Sequence, residues 1–296
     1  MRPRQTLGSN QSQYGSNPLT DHLTATHSFS TDRSRFMTET VMGCRLKLVG
    51  NRTLYKDGPC VYLSNHRAWA DFFIDMYLTE GRAFILSRFA VAYVFPFFML
   101  PAMWVGAVFA FQRGKAGAHD ELNNSLDAHF KAYTDFSGFV VYPEGTRNTK
   151  PKALPLKRGL IKYTHSRGMD VQVIIGGHKE HVLSEQRGSA SWGVEIPVGY
   201  SEVVSSKSFA GDFEGFYAEV KRVWELEWDR VYGEKDKTRP HHPKVQLVEY
   251  TNAMSTMLVV SSATCSVFGL GAIIWCVVLA AAAMPLGVAL SAARGE

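Results

Sequence analysis

The sequence predicts an α/β domain attached to a membrane, and three observations lead to this prediction. Short apolar runs typical of buried strands alternate with segments whose apolar residues repeat at helical spacing. The chain has 296 residues, of which 46% are hydrophobic and 20% charged, and this composition excludes a wholly disordered or collagen-like protein. No charged residue lies between Glu249 and Arg294, so the charge is concentrated in the rest of the chain.

Residues 1–35 are predicted to form a disordered polar tail. The segment is rich in Ser, Thr, Asn, Gln and Gly and has no apolar periodicity, so ordering it would bury too little apolar surface. No apolar stretch follows Arg2 and Arg4, as a secretory signal would require, whereas a transit peptide stays open. We therefore expect the folded domain to span residues 36–250.

The first half of this domain contains two predicted strands and one predicted helix. Residues Val41–Val49 alternate loosely between apolar and polar, and Cys60–Leu63 is a short apolar run that ends in polar residues. Residues Asp120–Tyr133 have helical periodicity, with Asp120 as the expected N-cap. The apolar face of this helix consists of Leu122, Leu126, Phe130 and Tyr133.

The second half alternates strand and helix in the same way. Residues Phe139–Tyr142 form a predicted buried strand that Pro143 ends, and Leu156–His165 form a predicted helix. A strand follows over Val171–Ile175, and Phe213–Val231 has the spacing of a helix that faces the core. The apolar residues of that last helix are Phe213, Phe216, Tyr217, Val220, Val223, Trp224 and Val231.

Residues 254–293 are predicted to be a C-terminal membrane anchor, because a membrane span needs about 20 apolar residues. We expect one transmembrane helix over Phe268–Leu290, and the alternative is a hairpin that turns at Gly269–Gly271. A second uncharged stretch, Phe89–Phe111, contains Pro96 and Pro101, which would interrupt a straight helix.

The charge balance favours some partners over others. The chain has 32 Lys and Arg against 27 Asp and Glu, giving a net charge of +5 without a clustered basic stripe. We therefore expect no nucleic-acid partner. Mild basicity suits an anionic lipid surface or a phosphorylated substrate, and it is also compatible with an ordinary solvated surface.

Two local patterns carry candidate chemistry. His66 and Asp71 follow a predicted strand, and an Asp that holds the imidazole would let the histidine act as a general base, although a purely structural hydrogen bond is the alternative. Glu144-Gly145-Thr146-Arg147 combines a glycine turn with a guanidinium suited to phosphate, and a surface Glu–Arg pair is the alternative. Phe109–Arg113 and Leu154–Gly159 add further basic residues.

The order of these four blocks resembles the lysophosphatidic acid acyltransferase family of glycerolipid acyltransferases. Asn65-His66 with Asp71, and Pro143 to Arg147, match that family's motifs, and Phe109 with Arg113 matches more loosely. The strand Val171–Ile175 lacks the proline that the family usually has there. The resemblance implies an α/β fold with a mixed sheet flanked by helices.

The resemblance also implies acyl transfer from acyl-CoA, as co-substrate, to the hydroxyl of a lysophospholipid, with 1-acylglycerol 3-phosphate as the preferred acceptor. His66 would be the base and Asp71 its partner. Substrate binding would fall to Asn65, Arg113, Glu144, Gly145, Thr146, Arg147 and Lys157. No metal or other cofactor is expected, and the missing nucleophile elbow argues against a hydrolase.

Function constrains the expected location. His66 and Arg147 must reach one substrate, so Phe89–Phe111 is not a single span between them; it is re-entrant or interfacial, a pair of very short spans, or part of the core. The resemblance implies a membrane protein of the endoplasmic reticulum with its catalytic domain facing the cytosol. There are three alternatives to this function. The protein could acylate another lysophospholipid such as lysocardiolipin, it could catalyse transacylation, or it could be a catalytically silent lipid-binding scaffold in the membrane.

Overall fold

A computed structural model describes residues 34–94, 96–111, 118–184, 188–233 and 238–243 of the protein. The strands in these ranges are β1 (Arg45–Val49), β2 (Cys60–Ser64), β3 (Ala83–Arg88), β4 (Val108–Phe111), β5 (Gly138–Val141), β6 (Asp170–Gly176), β7 (Leu183–Ser184), β8 (Ser189–Ala190), β9 (Glu195–Val204) and β10 (Thr238–Pro240). Eight of them form one sheet in the order β10-β1-β9-β6-β2-β5-β3-β4, and β7 and β8 form a separate hairpin.

Helices connect most of these strands. They are α1 (Asp71–Leu78), α2 (Ala90–Val94), α3 (Pro96–Trp104), α4 (Ala118–Ala132), α5 (Arg158–Ser166), α6 (Lys179–Val182) and α7 (Phe213–Tyr232). A short π-helix (Phe36–Val41) precedes β1, and a 3₁₀-helix (Ser206–Phe209) precedes α7. All five residues of β2 are buried, as expected for a central strand covered on both faces.

The sheet is mixed, and its direction pattern decides where the functional segments meet. The five neighbouring strands β6-β2-β5-β3-β4 are parallel. Strand β9 is antiparallel to β6, β1 is parallel to β9, and β10 is antiparallel to β1. The carboxyl ends of the parallel strands lie at one edge, which is where ligands bind in open α/β sheets. The predicted α/β fold with a mixed sheet flanked by helices is confirmed.

The predicted elements are present, but two details were wrong. The strand expected over Val41–Val49 begins only at Arg45, because the preceding residues form the π-helix. Asp120 is not an N-cap: α4 begins at Ala118, so Asp120 lies in the first turn, where its carboxylate is still favoured by the helix dipole. The core-facing role of α7 is confirmed by its buried residues Phe216, Val220, Val223, Trp224, Trp228 and Val231.

The uncharged stretch 89–111 folds as α2, α3 and the edge strand β4. Pro96 is the first residue of α3, where a helix tolerates proline, whereas Pro101 lies within it. Met99 and Ala92 pack with Val108 in a small apolar cluster. A nine-residue helix such as α3 is about 14 Å long, roughly half of a bilayer core.

No helix in the described ranges has the length and apolarity to cross a membrane. The predicted anchor, residues 254–293, and residues 1–33 of the predicted tail lie outside the described residues. Ser34 and Arg35, the last two residues of that tail, are helical and lead into the π-helix, and Ser34 is buried.

Candidate active site

The two sequence motifs meet at the carboxyl edge of the sheet. Strand β2 ends at Ser64 and runs directly into Asn65 and His66, and β5 ends at Val141 and runs into the 142–147 segment. Because β2 and β5 are parallel neighbours, the segments that follow them emerge side by side. Strand β6, on the other side of β2, ends at the same edge and leads into α6.

His66 and Asp71 form a hydrogen-bonded dyad. Nδ1 of His66 lies 2.8 Å from Oδ2 of Asp71, which also accepts the backbone N–H of Ala68 at 3.0 Å and that of Arg67. Burial by itself would raise the pKa of Asp71, but the Lys179 ammonium and the hydrogen bond to His66 outweigh it and lower that pKa. With Nδ1 donating to a carboxylate, the neutral imidazole keeps its lone pair on Nε2.

Tyr142 fixes the plane of the imidazole from a second side. Its ring stacks on His66 with the centroids 4.3 Å apart and the planes at 18°. The Tyr142 hydroxyl donates to Oδ2 of Asp75 at 2.9 Å, and Asp75 lies one turn after Asp71 on α1. The sequence analysis treated Tyr142 only as a strand residue and did not consider Asp75, although a spacing of four residues places the two aspartates on one helix face.

Glu144 is buried and organises the loop that follows the Glu-Gly-Thr-Arg motif. Its Oε1 accepts a hydrogen bond from Asn148 Nδ2 at 2.8 Å and from the backbone N–H of Leu154 at 2.7 Å. Its Oε2 is buried without a hydrogen-bond partner among the described residues. Burial raises the pKa of Glu144, and the two hydrogen bonds offset this only in part. The Glu144 carboxyl group therefore holds the loop in place through these hydrogen bonds.

Gly145 forms the tight turn of the motif. Its φ is 72°, in the left-handed region that favours glycine, and its N–H donates to the carbonyl of Tyr142 at 3.0 Å. The turn leaves Thr146 and Arg147 exposed, with the guanidinium carbon of Arg147 6.0 Å from the centre of the Trp69 ring. The Gly145 N–H is therefore engaged within the turn.

A cavity of about 1250 Å³ adjoins the dyad. His66, Gly145, Thr146 and Arg147 contribute its polar side. Most of the remaining wall is apolar and includes Phe36, Phe72, Ile85, Met99, Phe111 and Trp192. Small-molecule sites usually measure about 300–1,000 Å³. The cavity therefore has room for a long apolar group beside a histidine base and an arginine.

Two of the predicted substrate-binding residues point away from this cavity. Asn65 is fully buried, and its carboxamide bonds the backbone of Gly176 in both directions, at 2.8 Å from Nδ2 to the carbonyl and 2.9 Å from the N–H to Oδ1. This bond joins the end of β2 to the end of β6. Glu144 is buried against the loop as described above. Both residues hold the site together without lining it.

Of the two other basic residues predicted to bind substrate, Lys157 and Arg113, the structure describes only Lys157. Lys157 is exposed immediately before α5, outside the cavity wall, and its backbone N–H donates to the carbonyl of Pro143 at 2.7 Å. Arg113 lies outside the described residues. The structure thus brings His66, Asp71, Gly145, Thr146 and Arg147 together at one cavity.

A buried ion pair that the sequence analysis missed lies beside the dyad. Arg67 Nε donates to Oε2 of Glu180 at 2.9 Å, and the guanidinium also bonds the backbone carbonyls of Thr149 at 3.0 Å and Lys150 at 2.7 Å. Arg67 therefore fastens the loop after the second motif to α6. Its position directly after His66 was the available signal, since a segment between a strand end and a helix start is well placed to organise neighbouring loops.

Comparison with known proteins identifies the family of this site. Residues 45–175 match the family model described as Acyltransferase, a range that contains both motifs. Over this range, which is less than half of the chain, the protein resembles an acyltransferase domain. In that domain the dyad and the glycine turn lie at the ends of neighbouring parallel strands, which accounts for their wide separation in sequence.

Two known proteins are similar to this acyltransferase domain. Human 1-acyl-sn-glycerol-3-phosphate acyltransferase beta is 26% identical over 117 residues, which is 40% of this chain and 41% of the human protein. The alignment thus spans less than half of that relative. The crystal structure of the 1-acyl-sn-glycerophosphate (LPA) acyltransferase PlsC from Thermotoga maritima has a TM-score of 0.56 and 15% identity, over 76% of this chain and 86% of that chain. The predicted resemblance and its fold are confirmed.

Proposed function

We propose that the protein transfers a fatty acyl group from acyl-CoA to the hydroxyl of a lysophospholipid, with 1-acylglycerol 3-phosphate as acceptor and phosphatidic acid as product. One observation carries the proposal: a His–Asp dyad opens onto a large, mostly apolar cavity whose polar side also carries Arg147. The two similar proteins are both named as acyltransferases of this class of acceptor, which supports the choice of substrate.

The dyad supplies the proton transfers. Nε2 of His66 takes the proton of the acceptor hydroxyl as its oxygen forms a bond to the thioester carbonyl carbon. Asp71 stabilises the imidazolium that results. When the tetrahedral intermediate collapses, the carbon–sulfur bond breaks and His66 returns the proton to the CoA thiolate. In the described part of the chain, no serine or cysteine side chain is hydrogen-bonded to His66, which favours direct transfer over an acyl-enzyme.

The Glu-Gly-Thr-Arg turn is assigned to the acceptor phosphate. Arg147 presents a planar fork of N–H donors, and Thr146 adds a hydroxyl on the same exposed turn. Glu144 holds this turn in place through its buried carboxyl group. Arg113 and Lys157 are proposed to add positive charge toward the phosphate or the CoA.

The apolar wall is assigned to the acyl chains. Phe72 from α1, Ile85 from β3 and Met99 from α3 line the cavity, together with Phe36 and Trp192. A long hydrocarbon chain would bury its apolar surface there at roughly 25 cal/mol per Å². This supports a lipid donor and a lipid acceptor.

Membrane attachment belongs to the same proposal. The lipid substrates reside in a bilayer, and the uncharged residues 254–293 provide an anchor of sufficient length. We place the protein in the endoplasmic reticulum membrane with the catalytic domain in the cytosol, where acyl-CoA is available.

A panel assay of the purified full-length protein tests the function. Labelled acyl-CoA is offered with 1-acylglycerol 3-phosphate, glycerol 3-phosphate, lysocardiolipin and two other lysophospholipids, each with the His66→Ala variant as blank. We expect phosphatidic acid to form fastest. Faster acylation of another acceptor would reassign the headgroup, and transfer from a phospholipid without acyl-CoA would indicate transacylation. Release of free fatty acid alone would contradict the transfer reaction.

A further inference from the structure

A buried lysine lies behind the dyad, and the mechanism above does not use it. Lys179 is the first residue of α6 and is fully buried. Its Nζ lies 3.0 and 3.1 Å from the two carboxylate oxygens of Asp75 and 3.7 Å from Oδ1 of Asp71. It also donates to the carbonyl of Asn65 at 2.7 Å. One ammonium thus contacts two buried carboxyl groups, one of which holds His66.

The backbone after β6 is shaped to bring this lysine inward. Gly176 ends the strand, and a Cβ at that position would lie 3.0 Å from Cδ of Lys179. His178 then adopts a left-handed conformation with φ of 62°, which turns the chain back toward the sheet. His181 is exposed and His178 is half-buried, with Lys179 and Glu180 buried between them. In the segment His178-Lys179-Glu180-His181, Lys179 and Glu180 therefore face the protein interior, whereas the two histidines do not.

The net charge of Asp71, Asp75 and Lys179 is balanced when His66 takes up a proton. Burial and the neighbouring Asp71 raise the pKa of Asp75, and Lys179 counteracts them. Asp75 accepts hydrogen bonds from Lys179 on both oxygens and from the Tyr142 hydroxyl, the pattern of a carboxylate. Asp71, Asp75 and Lys179 together then carry one net negative charge. When His66 takes up a proton, this buried group becomes neutral, and a neutral group is the least costly to bury.

We propose that Lys179 and Asp75 are positioning residues that set the charge behind the His66–Asp71 dyad, so that the buried site is neutral when His66 carries a proton. Lys179 keeps Asp71 ionised, and Asp75 cancels the charge that Lys179 brings. Neither residue lines the cavity, so both act through Asp71 and Tyr142. The significance of this arrangement for turnover rests on the function proposed above.

Other charged groups near Asp71, Asp75 and Lys179 do not change this net charge. Glu180, next to Lys179, is neutralised by its bond to Arg67. Glu144 bonds Asn148 and the backbone of Leu154, outside this group of residues, and burial raises its pKa. Tyr142 is neutral, because burial raises its pKa well above the usual value. Arg147 lies on the cavity side of His66 and is exposed.

The test compares three variants of the full-length protein, Asp75→Asn, Lys179→Met and the double variant. The primary measurement is the titration of His66 by NMR on histidine-labelled protein, with the resonance assigned by its loss in His66→Asn. Thermal unfolding and the pH profile of kcat/KM are measured alongside. Lys162→Met, which removes an exposed lysine from α5, is the matched control.

Asp75→Asn removes one negative charge, so we expect the titration midpoint of His66, and the acid limb of kcat/KM, to move down by roughly 0.5–1 pH unit. The double variant restores one net negative charge and should return the midpoint to near that of the wild type. Lys179→Met alone leaves two buried carboxyl groups without a cation, so its Tm should be the lowest of the three. Removing Asp75 as well should raise that Tm.

An unchanged midpoint in Asp75→Asn, or a double variant less stable than Lys179→Met, would overturn the proposal, because a purely steric role predicts both. The titration and the unfolding need no turnover. If the wild type proves inactive toward every lysophospholipid while these shifts occur, the proposed function fails and the charge assignment stands.

Discussion

Asn148 donates its backbone N–H to the carbonyl oxygen of His66 at 2.7 Å. This bond ties the loop after the second motif to the residue that carries the base. The Asn148 side chain meanwhile donates to Glu144, so one residue fixes both motifs relative to each other. The two motifs are therefore held together by backbone hydrogen bonding as well as by the sheet.

The assignment of the base predicts the outcome of removing it. His66→Ala should lower kcat by about 10²–10⁴-fold, because the acceptor hydroxyl loses its proton acceptor. Asp71→Asn should also lower kcat, since the amide cannot balance an imidazolium. His181→Ala is the matched control, because His181 is exposed and makes no contact with the dyad. Activity of His66→Ala within tenfold of the wild type, with an unchanged Tm, would remove His66 from the mechanism.

The role of Arg147 is tested by a substitution that keeps its charge. Arg147→Lys loses the planar fork, so we expect a raised KM for the lysophospholipid and a nearly unchanged KM for acyl-CoA. Steady-state kinetics with each substrate varied in turn measure both. Arg158→Lys, at an exposed position on α5, should change neither value. The reverse pattern in Arg147→Lys would assign this arginine to CoA.

The buried carboxyl group of Glu144 predicts a pH-dependent cost to stability. Its pKa in the folded state lies above the ordinary value of 4.5, so the unfolded chain loses this proton first as the pH rises. The contribution of Glu144 to the free energy of unfolding therefore falls as pH increases from 4.5 through the folded pKa. Glu144→Gln removes this dependence.

Urea unfolding from pH 4 to 8 measures this effect as a difference between variant and wild type. The stability of Glu144→Gln relative to the wild type should increase with pH over that window. Glu214→Gln, at an exposed glutamate paired with Arg158, is the matched control and should show little trend. A relative stability that is constant or falls with pH would contradict the assignment.

The sequence predicted the strands and helices that carry strong patterns. Cys60–Leu63 is a continuous apolar run, and Val171–Ile175 is apolar except for Gln172, because both segments belong to central strands that are buried on both faces. The apolar residues of α7 repeat at helical spacing because one face of the helix packs on the sheet. Strand β9 was not predicted, and its pairing to β1 depends on a partner that is distant in sequence. Local pattern carries no information on such partners.

The residues of the candidate site likewise fall into those that the sequence predicts and those that it does not. His66, Asp71 and Arg147 were predicted because their chemistry is visible in short motifs. Lys179 and Asp75 were not predicted, since a buried charge is recognised only by its partners, and these two residues lie on different helices, α6 and α1. The sequence also suggested substrate contact for Asn65, whereas the fold directs its carboxamide to the backbone of β6.

An exposed apolar surface on α2 and α3 predicts peripheral membrane binding. Tyr93, Leu100 and Trp104 are 78%, 56% and 64% exposed. They lie on the same two helices that contribute residues to the cavity wall. Inserting one large apolar side chain into lipid contributes on the order of 1.5–3 kcal/mol. For a chain ending at Tyr250, replacing all three with serine should reduce binding to phospholipid vesicles roughly tenfold or more in sedimentation assays.

The control for this surface is Leu226→Ser on α7, which removes an equally exposed leucine at 52%. It should leave vesicle binding unchanged. Equal loss in both variants would indicate general destabilisation, and no loss in either would place the contact elsewhere.

The predicted membrane anchor of residues 254–293 can be tested directly. The run without charge up to Ala293 should cross the bilayer once over Phe268–Leu290, with the catalytic domain in the cytosol. In this orientation the basic residues before Glu249 would lie on the cytosolic side, as the positive-inside rule predicts. A chain ending at Tyr250 should therefore lose carbonate-resistant insertion. A tag after Glu296 should be protected from protease in sealed microsomes for one span and accessible for a hairpin. Carbonate-resistant insertion of the shortened chain would show that residues 89–111 are the main anchor and that the C-terminal assignment is wrong.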